Sequence, residues 1–310
     1  METMNKYRIN GVNEKDAVGK GSIKMIVDCH FHVDETMLTL EKMIEGMDKN
    51  DVTKTALIAP MNETMFEEES NYQDHLQRLF RFLILYTPQI GFKIYDGLVK
   101  DGYLKLYGKS YKIFTKPSND IVAAAIDRFP DRFLGWAAVN PLNPGSVEEV
   151  ELYLNKPGFI GVKAHPFMHG YSIKALDPVA AMCETKGIPM IIHLSSERDS
   201  YKYLPENYPK LKLIYAHAGI PFWKKLWQYI KDQPNVFIDT SSDYLTPSIV
   251  KKAVESLGYR KILYGCDGPY GMKNFNKYDY SAKKGWIDSL QISDNQKECI
   301  LGKNFLEIID

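Results

Sequence analysis

Four of the seven histidines in this chain stand at the ends of apolar runs, and that placement is where its chemistry shows. The first run is Met25-Ile26-Val27-Asp28-Cys29-His30-Phe31-His32, the composition of a buried strand. Side chains alternate faces along a strand, so Asp28, His30 and His32 should share one side and Cys29 the other. Two imidazoles on one face of a strand end can grip one divalent ion. A lone His-x-His is more often an accident of surface or core. Here three more runs deliver such side chains: Pro189-Met190-Ile191-Ile192-His193, Leu211-Lys212-Leu213-Ile214-Tyr215-Ala216-His217, and Lys261-Ile262-Leu263-Tyr264-Gly265-Cys266-Asp267. Barrels of parallel strands place their active sites at that end.

Neutral imidazole and carboxylate suit zinc, and also manganese or iron. His30, His32, His193 and Asp267 are assigned as ligands of one divalent ion, zinc first and manganese second. Three or four protein ligands with an open position would bind and acidify a water. His217 is read as a base and electrophile facing the substrate, in preference to a fifth ligand. Asp267 would serve twice, as weak ligand and as acceptor of the water's proton. Asp28 is expected to be a buried hydrogen-bonding group behind the histidines. Lys163 and His165, in Lys163-Ala164-His165-Pro166, share a face and read as substrate contacts. The plainer reading of a barrel-layer lysine and a turn histidine ranks behind that, and a carboxylated Lys163 bridging two metals last. Arg198, after the fifth strand, could bind a substrate carboxylate, though a solvated salt bridge accounts for it as well. His75 and His169 read as surface or structural residues. Trp223 and Trp227, at helical spacing, should pack their helix onto the barrel.

The elements that position these residues alternate. Apolar strands are expected at 25–32, 54–60, 133–139, 159–164, 189–193, 211–217, 235–239 and 261–267. Helical spacing covers 38–47 and 120–129, and another helix starts at Asn143-Pro144. Asp177 should cap a helix with Pro178 at its first position and Gly187 closing it. Thr246-Pro247 opens one that Gly258 ends. Ser293 with Gln296 makes a capping box for a final helix ending near 309. Eight strands alternating with helices give a (β/α)8 barrel. A doubly wound open sheet is the rival, weakened by the lack of a GxGxxG after the first strand. A stretch at about 61–120 fits no such unit and reads as a folded insertion after strand two, near the barrel mouth. Glu67-Glu68-Glu69 opens it. Residues 72–86 suggest a helix with Leu76, Leu79, Phe80, Leu83 and Ile84 on one face. Residues 91–116, rich in Lys, Tyr and Gly, read as solvated with a small aromatic core, in preference to an anion-binding lid. Residues 1–24 form a polar arm, and 25–310 a single domain.

Composition bounds the possibilities. The 310 residues are 45% apolar and 25% charged, with 39 basic against 39 acidic side chains, an ordinary soluble globular balance. Zero net charge points to neither nucleic acid nor an anionic membrane surface as partner. No apolar stretch would span a bilayer, and the first 24 residues lack a signal-peptide core, so the cytoplasm is the default. The four cysteines form no CxxC and read as reduced thiols. The partner implied is a small molecule, and the chain is compatible with a homodimer.

Taken together, Val27-Asp28-Cys29-His30-Phe31-His32, Gly161-Val162-Lys163-Ala164-His165-Pro166, Ile192-His193, Ala216-His217-Ala218-Gly219 and Gly265-Cys266-Asp267-Gly268-Pro269 resemble the metal-dependent amidohydrolase superfamily. The likeness is to its amidohydrolase 2 branch, similar to aminocarboxymuconate-semialdehyde decarboxylase, and Ile300-Leu301-Gly302-Lys303-Asn304-Phe305 resembles that group's ending. The resemblance implies a distorted (β/α)8 TIM barrel with usually one divalent metal, often zinc. It matches His30, His32, His193 and Asp267 to the family's ligands and His217 to its catalytic histidine. It implies hydrolysis of an amide, ester or lactone, or non-oxidative decarboxylation of an unsaturated or aromatic acid. Two features depart from it: the decarboxylases carry bulky residues where this chain has Gly268, and the insertion has no counterpart. The reading adopted from sequence is a metal-dependent hydrolase. A metal-activated water would attack a carbonyl polarised by the metal and His217, with Asp267 relaying the proton. A decarboxylase is the first alternative, and a catalytically silent binding barrel the second.

Overall fold

The computed structural model describes residues 25–65, 71–106, 108–270 and 278–310. Eight parallel strands form its main sheet: β1 (Ile26–His32), β2 (Val52–Ile58), β3 (Phe133–Val139), β4 (Phe159–Ala164), β5 (Met190–Ile192), β6 (Leu213–Tyr215), β7 (Val236–Asp239) and β8 (Ile262–Leu263). Each pairs with the next in chain order. The segment after β8 closes the ring onto β1: Cys29 N–H donates to Tyr264 O at 3.0 Å, and Asp267 N–H to His30 O at 2.7 Å. That closure makes a (β/α)8 barrel and removes the open-sheet alternative. The strands are mostly apolar and buried because both faces are covered, by the packed interior and by the outer helices, with Thr53 and Lys54 half-buried near the start of β2.

Three ladders end sooner than the apolar runs suggest. β5 stops at Ile192, β6 at Tyr215 and β8 at Leu263. His193, His217 and Asp267 therefore sit on the segments leaving the strands. His217 and Asp267 have φ of +56° and +62°, an uncommon region for residues with a side chain. Those turns tip both side chains over the barrel mouth.

Most helix signals hold, with small shifts. The helix expected to be capped by Asp177 runs Asp177–Lys186, with Asp177 as its first residue and Leu176 as its cap. Thr246 accepts the Ile249 amide, and Ser293 and Gln296 form the full capping box. The last helix passes through a π turn, Cys299–Lys303, where Ile300 O accepts the Tyr264 amide at 3.0 Å and braces the closing segment. All four cysteines are buried and free. No helix among the described residues is long and apolar enough to cross a membrane.

The insertion differs from expectation. After α1 (Leu40–Lys49) and β2 come α2 (Asn71–Tyr86) and a second, unforeseen helix, α3 (Pro88–Leu98). A three-stranded antiparallel sheet follows, Val99–Lys100, Tyr103–Leu106 and Lys109–Lys112. Glycines at 91 and 97 blur the period of α3 in the sequence. Gly91 is there for contact, since a Cβ on it would lie 2.5 Å from Leu83 O of α2. The segment read as solvated is one-sided instead: Tyr95, Leu98, Leu104 and Ile113 are buried while Tyr103 and Lys105 face out. The insertion is seated on the mouth by Tyr95 against Phe167, Phe92 against Phe222, and the Trp223 indole donating to Leu85 O at 3.0 Å. Trp223 thus ties its helix to the insertion, while the Trp227 indole donates to Ala218 O at 2.8 Å. The arm 1–24 and the acidic run Glu67–Glu69 lie outside the described residues.

Candidate active site

β1 brings its histidines to the mouth, but not by simple alternation. Its register with β2 is irregular between Asp28 and Phe31. The Asp28 carboxylate folds onto backbone there, accepting the amides of His30 at 3.0 Å and Cys266 at 3.1 Å. It is the buried hydrogen-bonding group its position suggested, though it holds the backbone of His30 and not the imidazole. In doing so it pins the β1–β8 seam, and burial lifts its carboxyl to about 7.

The donor set gathers around Asp267. Its Oδ1 lies 3.4 Å from His30 Nε2 and 3.6 Å from His32 Nε2, and the three residues offer ligand atoms within 4.8 Å of one another. Burial keeps both imidazoles neutral, His32 down to about 3. Lys163 is fully buried beneath them, with Nζ 3.2 Å from His30 Nε2. Burial lowers it to about 8, against the pull of Asp267 and Asp239. Burial likewise raises the Asp267 carboxyl, against the pull of Lys163. Lys163 therefore belongs under the donor set and not in the substrate pocket. Two neutral imidazoles and a carboxylate, with an ammonium already drawn to the same lone pair, are a donor set that fits a divalent cation.

Asp239, at the end of β7, was not singled out from sequence. Its Oδ1 accepts from the His217 amide at 2.7 Å, the Ser241 amide at 3.0 Å and the Ser241 hydroxyl at 2.5 Å. Its Oδ2 accepts from His30 Nδ1 at 2.8 Å. Asp239, His30 and His217 also lie within ligand distance of one another. With both oxygens taken, Asp239 orients its neighbours and leaves ligation to the His30–His32–Asp267 group. It fixes the proton of His30 on Nδ1 and turns the lone pair of Nε2 toward Asp267. The available signal was the same as for the histidines, an ionisable residue closing an apolar strand.

The remaining histidines line the mouth. His217 Nδ1 lies 2.8 Å from Ser241 Oγ and 3.8 Å from Asp267 Oδ2, and its Nε2 is 2.9 Å from His193 Nδ1. His193 stands beside the donor set and outside the 4.8 Å group, its other nitrogen 2.5 Å from the Tyr95 hydroxyl. His165 Nδ1 accepts the Met168 amide at 3.1 Å, which leaves its proton on Nε2, and its ring stacks on His193 at 4.1 Å. Burial lowers all three. These residues, His32 and Asp267, together with Asn62, Gln77, Ser242 and Asp243, form the polar part of a cavity of about 140 Å³, many times the space one water needs. Its walls are apolar, with Met61, Ile84, Leu98, Leu104 and Leu106 from β2's end and the insertion, and Phe167 opposite. Arg198 is not among them: its side chain is 95% exposed and pairs with Asp199 at 3.6 Å. His75 is exposed, and the half-buried His169 donates from Nε2 to Phe114 O at 3.1 Å.

A family model described as amidohydrolase matches residues 27–307, nearly the whole described chain. The chain belongs to the amidohydrolase family, in its amidohydrolase 2 branch. A gamma-resorcylate decarboxylase from Rhodococcus jostii (strain RHA1) is 20% identical over 239 residues, 57% of this chain and 70% of that protein. Among solved structures, a dihydroxybenzoic acid decarboxylase from Polaromonas with bound manganese superposes with a TM-score of 0.56 at 15% identity, covering 92% of this chain and 96% of that one. A 4-oxalomesaconate hydratase from Rhodopseudomonas palustris gives 0.60 at 14% identity, covering 92% and 95%. These likenesses show the shared barrel. As an amidohydrolase the chain is an enzyme, a metal-dependent decarboxylase or hydrolase.

Proposed function

We propose that this amidohydrolase decarboxylates a small aromatic or unsaturated carboxylic acid without an oxidant, in place of the hydrolysis favoured by sequence alone. The observation that carries this is the pocket, apolar walls fit for a flat ring over a floor of His165, His193, His217 and Asp267. The decarboxylases of aromatic acids among its relatives support the same reading. Gly268, the departure from the decarboxylase pattern, answers to packing: a Cβ there would overlap the Phe31 ring.

In this reaction the bond from ring to carboxylate breaks, carbon dioxide leaves, and the electron pair left on carbon takes one proton. A divalent ion held by His30, His32 and Asp267, with His193 beside them, would supply the positive charge that binds the carboxylate and stabilises that electron pair. Manganese and zinc both suit imidazole and carboxylate, and manganese is the ion bound in the Polaromonas relative. The Nε2–H of His165 points its proton to the acid. Asp267, with Oδ1 toward the two imidazoles and Oδ2 toward His217, is the carboxylate placed to carry a proton between His217 and that carbon. His217, hydrogen-bonded through Ser241 to Asp239, stands within 3.8 Å to return it.

The test is a panel of hydroxybenzoates, unsaturated acids, lactones and amides, run with supplied manganese or zinc in deuterated water. The expected result is carbon dioxide from an acid, with deuterium at the carbon that lost it, stopped by a chelator. Turnover of a lactone or amide, with no acid releasing carbon dioxide, would return the reaction to hydrolysis.

A further inference from the structure

We propose that Tyr95, carried by the insertion, is the positioning residue of His193: it fixes which ring nitrogen of His193 is left with a lone pair for the cation. The inference rests on the metal reading of the site and not on the choice of reaction.

Tyr95 lies on α3 and is buried over the mouth. Its hydroxyl lies 2.5 Å from His193 Nε2 and donates to Leu194 O at 2.9 Å. A phenol has one proton. With that proton on the Leu194 carbonyl, the oxygen can only accept from His193, so Nε2 must carry the imidazole hydrogen. The lone pair is then on Nδ1, where it faces the Nε2 lone pair of His217 at 2.9 Å, since the His217 hydrogen is on Nδ1 toward Ser241 Oγ; two acceptors meet there, and a cation taking the Nδ1 lone pair relieves them. The opposite sense, with the phenol proton on Nε2, would place the hydrogen on Nδ1 and leave that nitrogen unable to ligate. A ring hydrogen bond of this kind sets the tautomer of a metal-binding histidine and its orientation.

The contact is held from several directions. Tyr95 stacks on Phe167 at 4.0 Å, and the His193 ring packs against both Phe167 at 5.5 Å and His165 at 4.1 Å. The His193 ring therefore has its plane set by packing, and the hydroxyl decides its tautomer. The residues that meet Tyr95 come from two barrel segments, Phe167 after β4 and His193 with Leu194 after β5. The insertion thus contributes to the site itself as well as roofing the pocket.

Tyr95→Phe keeps the ring and its stacking and removes only the hydroxyl. Zinc or manganese affinity, measured by competition with a chelator in the absence of substrate, should fall about 10- to 100-fold, the range for losing such a partner. The absorption bands of the cobalt-substituted protein should shift. His193→Ala should weaken the same binding, and Tyr95→Phe/His193→Ala should be no weaker than His193→Ala alone, because Tyr95 acts through that ring. Wild-type affinity in Tyr95→Phe would overturn the proposal, and so would additive losses in the double variant. Neither readout involves turnover, so a failed decarboxylation assay leaves this test standing.

Discussion

At the level of single residues the site is organised by the groups that hold the histidines as much as by the histidines. His30 donates from Nδ1 to Asp239, and this leaves Nε2 as acceptor beside Asp267 and Lys163. Asp239→Asn tests that dependence. With its oxygen kept toward the amides of His217 and Ser241, the new amide N–H₂ faces His30 Nδ1. Two donors then meet, and the cheapest escape is to move the imidazole proton to Nε2. A histidine protonated there has no lone pair for a cation. Metal affinity should therefore fall about 10- to 100-fold, as for other outer partners of metal ligands, with the barrel intact by circular dichroism. Equilibrium titration with zinc decides it. Unchanged affinity would mean that His30 does not ligate through Nε2.

Among the elements, what a buried strand needs is written in its composition, and what a turn needs often is not. The eight strands were legible because each is mostly apolar and flanked by helix caps such as Thr246 and Ser293. The last step to the site was not. His217 and Asp267 reach it through backbone of positive φ, and neither residue type announces that. The bulge that turns Asp28 onto the His30 amide is equally silent, because period-2 reasoning assumes an unbroken ladder. In the insertion the helix at α2 was readable but its face was not, since Leu79 is 53% exposed and the buried pair is Ile84 and Leu85, whereas α3 hid behind glycines that serve helix contact. Arg198 looked like an anion binder because residue type does not reveal which way a loop side chain turns. Gly268 is a case where a departure from pattern has a packing cause. Phe31 stacks with Tyr280 at 5.8 Å and meets Tyr278 edge-on at 5.0 Å, so its ring has little room to retreat from an added Cβ. Gly268→Ala should destabilise by about 1–3 kcal/mol, the range for overpacking. It should also disturb metal binding, because Gly268 O accepts the His32 amide at 2.6 Å. Urea denaturation of the metal-free protein measures the first effect, and an unchanged midpoint would show that Phe31 can yield.

For the whole molecule the concentration of neutral histidines in one barrel mouth sets how folding responds to pH. Burial lowers the pKa of His30, His32, His165, His193 and His217, with His32 brought down to about 3. In the unfolded chain each returns to about 6.5. Between those values the unfolded state binds the extra protons, so stability falls as pH falls below about 6.5. Asp28, raised to about 7, and Asp267, also raised, act in the opposite sense, since the folded state holds their protons where the unfolded chain has released them. Lys163, lowered to about 8, titrates above this window. The lowered imidazoles, His169 among them, outnumber the two raised carboxyls, so the unfolded chain takes up more protons through this window and acidification should lower stability. The melting temperature of metal-stripped protein should drop steeply between pH 7 and pH 5.5 in calorimetry. A bound divalent ion should raise it, and by less at lower pH, because the Asp267 carboxyl, raised by burial, must shed its proton to ligate. A midpoint that holds or rises on acidification would mean that the carboxyl protons outweigh the histidines, and that the mouth is not the neutral imidazole cluster its burial implies.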